Sequence, residues 1–129
     1  MPTSLLDTNV LIFALRRSTA ALDLLERLRQ RDDATISVAT RAEVLAGMRP
    51  HEEPSTMALL NSLRNLPVTD EVADLAGRLI YRLARDGIQL SFPDALISAT
   101  AIVHDLSIIT TNAVHFTPTR AKVEPWTPQ

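Results

Sequence analysis

Short apolar or β-branched runs alternate along this chain with longer stretches whose apolar residues recur at helical spacing. Thr3 to Leu6 predicts a buried strand, and Val10, Leu11, Phe13, Ala14 and Leu15 continue it as a short apolar helix. Ser18 is positioned to cap a second helix whose apolar face is Ala21, Leu22, Leu25 and Leu28, with Asp23, Glu26, Arg27 and Arg29 opposite. The polar turn Arg31-Asp32-Asp33 ends it, and the alternating, β-branched run Ala34 to Val38 predicts a strand. A helix from Thr40 to Met48 follows, closed by Gly47 and Pro50, then another from Pro54 through Leu63. Leu66-Pro67-Val68 predicts a short strand, which Pro67 demotes towards an edge. Asp70 is expected to cap a long helix, in which Val72, Leu75, Ala76, Leu79, Ile80 and Leu83 keep helical period until Asp86-Gly87. Pro93 begins a helix through about Val103, Leu106 to Thr110 predicts a strand, and Ala121 to Glu124 a last short one.

Strands alternating with helices predict an α/β architecture: one domain over residues 1–129, with an open, mostly parallel sheet of four to five strands and helices on both faces. In such a sheet a helix that follows or leads into a strand starts at the carboxyl edge, where open α/β sheets bind ligands. Asp7, Glu43 and Asp94 each open a helix-like stretch, so all three are expected on that edge despite their separation in sequence.

Each acid also has a capping explanation. Asp7 could cap the helix that Thr8 begins. Thr40-Arg41-Ala42-Glu43 matches a capping box, and Ser91-Phe92-Pro93-Asp94 a looser one. Three carboxylates at one edge need a further reason, because a like-charged pair at ~4 Å costs about 4 kcal/mol at an effective dielectric near 20. A divalent cation with oxygen ligands supplies that reason, and it makes metal-assisted phosphodiester hydrolysis the expected chemistry. Asn112, past the end of the Leu106–Thr110 strand, is a fourth candidate through its amide oxygen, or a turn residue tolerant of left-handed geometry. His115 lies three residues further on and could approach the same edge.

Composition narrows the field. Hydrophobic residues make up 46% of the 129, yet no apolar run approaches the ~20 needed to cross a bilayer. Cysteine is absent, which excludes disulfides and thiolate metal sites and suggests the cytoplasm. The net charge of −2 argues against a whole-molecule electrostatic binder of nucleic acid. Twelve of the 13 cationic side chains are nevertheless Arg, Lys122 being the exception, and Arg16, Arg17 and Arg49 are candidates to hold flanking phosphates. Few aromatics are available to stack bases, and single-stranded or looped RNA is the expected substrate. Two other classes fit less well: a non-catalytic metal- or RNA-binding regulator using the same edge, and a phosphoacceptor domain, which would want a lysine over the phosphate.

Four segments resemble a known family in order and spacing. Leu5-Leu6-Asp7-Thr8-Asn9-Val10-Leu11-Ile12, Arg41-Ala42-Glu43-Val44-Leu45-Ala46-Gly47, Phe92-Pro93-Asp94-Ala95-Leu96-Ile97-Ser98-Ala99-Thr100-Ala101 and Ile108-Ile109-Thr110-Thr111-Asn112-Ala113-Val114-His115-Phe116 resemble the PIN-domain ribonucleases of the VapC toxin type. The resemblance implies that Asp7, Glu43 and Asp94 hold one or two Mg²⁺ or Mn²⁺ ions. Asn112 stands where the family often has a fourth acid, and His115 where an Asp before Phe is common, so one ion is expected to be held firmly. Thr8, Asn9 and Thr110 are implied as groups that orient the acids. The resemblance further implies a structured cellular RNA as substrate, a small DNA-binding antitoxin as partner, and a homodimer. Met57-Ala58-Leu59-Leu60 and Ile80 to Leu83 are candidate pairing faces or, alternatively, core.

Overall fold

The structure, a computed structural model, describes residues 2–129. Among these residues five short strands, all paired in parallel, are separated by seven helices and two single 3₁₀ turns. β1 (Ser4–Leu6), β4 (Ser107–Thr110) and β5 (Lys122–Pro125) form one ladder in the order β1-β4-β5, and β2 (Thr35–Ser37) pairs with β3 (Arg64–Leu66) in a second. The expected sheet is therefore present as three strands plus two. A side chain joins the two parts: Asp33, just before β2, accepts the backbone N–H groups of Thr3 (2.7 Å) and Ser4 (2.9 Å) and the Thr3 hydroxyl (2.8 Å).

The two-residue period of the strands sorts side chains onto opposite faces. Leu5 and Ile108 pack with Ile97 and Ala101 of α6 (Phe92–His104) and Phe116 of α7 (Ala113–Phe116). Leu6 and Ile109 pack with α1 (Thr8–Leu15), α2 (Thr19–Gln30) and α4 (Glu53–Asn61) through Val10, Leu11, Leu25, Leu28 and Leu60. α5 (Asp70–Arg85) adds an outer layer, laying Val72, Ala76, Leu79 and Leu83 against Ala95 and Ala99 of α6. Helices thus cover both faces, and α3 (Val38–Gly47) contributes Ala39 to one core and Val44 to the other.

Several local expectations shift. On α2 the buried face is Ala21, Leu24, Leu25 and Leu28, while Leu22 is 41% exposed. α3 starts two residues earlier than expected because the Ser37 hydroxyl accepts the Ala39 N–H, so Thr40 is not a cap and Glu43 sits on the second turn. Thr69, not Asp70, caps α5 through Val72 N–H. The edge strand lies at Arg64–Leu66, with Pro67 beyond it. The polar turn after β4 holds α7 and a 3₁₀ turn at Thr117–Thr119. Leu60 and Leu83 are buried in the core and Leu59 packs against it, whereas Ala58, Tyr81 and Arg82 of the same stretches are exposed. Trp126 also packs inward, its ring edge-on to Phe13 at 6.2 Å.

Candidate active site

Asp7 ends β1 and begins α1 in one residue. Its N–H still donates to Ile109 O of the neighbouring strand (3.0 Å), while its Oδ1 accepts the Thr8 N–H (2.7 Å) and so caps the helix. The capping explanation is therefore correct for Asp7, and it does not exclude another role. Its Oδ2 accepts the Thr110 hydroxyl from the end of β4 (2.7 Å), and the same hydroxyl oxygen accepts the Asn112 N–H (2.9 Å). The Thr8 hydroxyl donates to Glu43 Oε1 at 2.6 Å, fixing the second acid across α1 and α3. Asp94 occupies the first turn of α6, which Ser91 caps through the Asp94 N–H (3.2 Å). His115 Nδ1 stands 4.0 Å from Asp94 Oδ2.

These side chains face one cavity of about 280 Å³, lined by Asp7, Thr8, Asn9, Glu43, Asp94, Asn112 and His115, with Ile12 and Phe116 as apolar walls. Elements from opposite ends of the chain, Asp7 to His115, thus present polar groups to one space. Asn112 has φ −127°, so the left-handed turn explanation does not hold for it. Ile12 and Phe116 were not foreseen as walls. Ile12 was legible in principle, because it lies one helical turn beyond Thr8 on the same face. Thr110 sits behind Asp7 rather than on the cavity wall. Arg16 and Arg49 line an adjoining cavity, and Arg17, with φ 67° in the turn after α1, lines neither.

Asp7 is 6% exposed. Burial pushes its carboxyl above the usual carboxylate range; the bonds from Thr110 and Thr8 pull it back, and the charges of Asp94 and Glu43 push it up again. No Lys or Arg lines this cavity to offset the negative charge. Carboxylate and amide oxygens are the donors a hard cation such as Mg²⁺ or Mn²⁺ prefers, so the donor chemistry fits such an ion. As they stand, no three acidic or histidine side chains among the described residues are gathered closely enough to grip one ion together. The set is an open cleft of oxygen donors rather than a closed cage.

Residues 4–117 match the family model of the PIN domain. The chain is a PIN-domain protein. This PIN domain is 40% identical over 112 residues to Ribonuclease VapC10 of Mycobacterium tuberculosis, covering 87% of this chain and 84% of that protein. A toxin–antitoxin complex from Klebsiella pneumoniae superposes with a TM-score of 0.75 at 30% identity over 98% of each chain. VapBC from Salmonella typhimurium, solved bound to DNA, shares the fold with a TM-score of 0.83 at 24% identity, over 98% of this chain and all of that one. Among the described residues, no helix is long and apolar enough to cross a membrane.

Proposed function

We propose that this PIN domain is the ribonuclease toxin of a toxin–antitoxin pair. In this reading Asp7, Glu43 and Asp94 hold a divalent cation, Mg²⁺ or Mn²⁺, with Asn112 beside them. The observation that carries it is the convergence of three carboxylates, from α1, α3 and α6, on one cleft without a basic residue among them except His115. The 40% identity to Ribonuclease VapC10 supports RNA as the polymer cut, and the Klebsiella complex supports an antitoxin partner, here a small DNA-binding protein. A homodimer and a cytoplasmic setting belong to the same reading.

The reaction is hydrolysis of a phosphodiester: water forms a bond to phosphorus as the bond to the leaving oxygen breaks. A bound divalent ion supplies Lewis-acid charge to the phosphate and to the attacking water. The chain's own groups set the geometry. Thr110 and the Thr8 N–H hold the two oxygens of Asp7 apart, one hydrogen bond on each, leaving a lone pair on both. The Thr8 hydroxyl prevents Glu43 from swinging out to solvent. Ile12 and Phe116 give the cleft two apolar walls, and charge interactions strengthen where a bound phosphate sheds water against them. His115, 60% exposed at the rim, is positioned to donate to a phosphate oxygen.

Purified protein incubated with RNA and Mg²⁺ tests the reading. Cleavage is expected, abolished by a chelator and lowered at least ~100-fold by Asp7→Asn, a loss of more than about 2.7 kcal/mol of transition-state stabilisation. Asp7→Asn cutting as fast as the parent would sink the assignment. Metal binding without chelator-sensitive cleavage would favour the non-catalytic regulator instead.

A further inference from the structure

The acidic cleft opens into a second cavity of about 250 Å³, walled by Ile12, Leu15 and Arg16 of α1 and its flank, by Glu43, Val44 and Gly47 of α3, and by Arg49. Ile12 and Glu43 line both spaces, so the two are successive stretches of one groove between α1 and α3. Thr8, Ile12 and Arg16 follow at four-residue steps along one face of α1, which sets Arg16 about 12 Å along the helix from Thr8. Both guanidinium groups are on exposed residues, and neither forms an ion pair among the described residues. Two acids, Glu43 and Glu52, line the same groove, and each has one oxygen already accepting a hydrogen bond from a group other than a guanidinium. Glu43 Oε1 accepts the Thr8 hydroxyl at 2.6 Å, and Glu52 Oε1 accepts the backbone N–H of Arg49 at 2.6 Å.

We propose that this groove is a subsite for the RNA backbone, in which Arg16 and Arg49 bind the phosphates flanking the one at Asp7, Glu43 and Asp94. The inference rests on the ribonuclease reading above and adds where the strand runs. A protein of net charge −2, whose reaction cleft has no Lys or Arg, needs cationic attraction for a polyanion from somewhere close by. Arg16 and Arg49 are the cations on the path leading out of that cleft. Their planar donors suit phosphate oxygens, which a single strand presents along its backbone. Gly47 lines the groove and a Cβ built there meets no atom within 4 Å, so a larger side chain is tolerated at this position and is available to test whether the space beside it carries the strand.

Steady-state cleavage of a single-stranded RNA oligonucleotide over a salt series tests this. Arg16→Gln and Arg49→Gln are each expected to raise KM roughly tenfold, the loss falling in KM rather than kcat. Each should flatten the slope of log affinity against log salt by about 0.7. Arg78→Gln on the exposed side of α5 removes the same charge away from the groove and should change neither. Gly47→Leu should raise KM while the melting temperature holds or rises, since glycine in a helix costs up to ~1 kcal/mol. If the parent cuts RNA but KM and salt slope are unmoved in all three groove variants, the subsite is refuted and the ribonuclease reading stands. If the parent cuts no RNA at all, the reading itself falls. If the variants spare RNA but weaken binding of a purified antitoxin, the groove belongs to the protein partner and the proposal is overturned.

Discussion

Asp33 is only 3% exposed, yet nothing in its sequence context distinguishes it from the turn residues beside it. Its carboxylate closes the seam between the two ladders by taking two N–H groups and a hydroxyl from the start of β1. Burial alone would raise its pKa; the bonds from Ser4 and Thr3 outweigh that and leave it lowered. An acid whose folded pKa is depressed stabilises fully above its unfolded value near 3.9, and that support is lost as pH falls through the folded pKa. Asp33→Ala should therefore cost about 2–3 kcal/mol at pH 7, because the buried Ser4 amide is left unpaired. In an acid titration below about pH 4, the parent should lose stability faster than Asp33→Asn. Parallel acid limbs for the two proteins would show that the carboxylate is not what joins the ladders. At this scale the sequence was legible where residue chemistry is scarce: Asp7 stood out from its apolar flanks, whereas Asp33 in a run of Arg and Asp did not. The hydroxyls of Thr8 and Thr110 carried no local signal of their own, and only the family pattern pointed to them.

At the scale of elements, pattern succeeded where burial is one-sided and failed where a neighbour decides the conformation. α5 is written plainly because its apolar residues must meet α6 on one face. β3 is the opposite case. Arg64 and Asn65 have little strand propensity, and the apolar Leu66-Pro67-Val68 next to them drew the expected strand two residues too late. The register is set by β2, with Thr35 opposite Arg64 and Ser37 opposite Leu66. It is held by Asn65, whose Nδ2 donates to Leu60 O (3.0 Å) and Leu63 O (2.9 Å) while its Oδ1 accepts from Arg41 Nη1 (3.1 Å). That side chain satisfies the carbonyls where α4 ends. Asn65→Ala should destabilise the fold by about 1–3 kcal/mol, with amide exchange in β3 and the end of α4 rising before that of β1 and β4. Uniform acceleration across all strands would mean that Asn65 supports the whole core rather than this edge. α3 was shifted for a similar reason: the hydroxyl of Ser37 turned a β-branched run into strand, cap and helix within four residues.

For the whole molecule, the parallel pairing of the strands could be anticipated from the alternation of strands and helices, and with it the edge to which the acids belong. The way the two ladders are joined could not, because it depends on three hydrogen bonds accepted by one carboxylate. The folded chain brings Asp7, Glu43 and Asp94 to one cleft at a cost to its own stability, since burial and the neighbouring charges both raise the Asp7 carboxyl. An acid with a raised folded pKa destabilises the fold most at pH above that value, and the penalty is relieved as pH falls below it. Asp7→Asn keeps a competent helix cap and removes the charge, so in chelator at neutral pH it should melt higher than the parent. A divalent ion would supply the missing counter-charge to the parent alone. At 100 times its dissociation constant, binding adds about 2.7 kcal/mol, a rise in melting temperature on the order of 10 °C. Thermal unfolding of both proteins across a Mg²⁺ and a Mn²⁺ series reads this directly. The parent should overtake Asp7→Asn as the ion is added, and in chelator the gap between the two should narrow as the pH is lowered through the raised Asp7 pKa. Equal stabilisation of the two proteins would place the ion away from Asp7 and break the link between the cleft's instability and its chemistry.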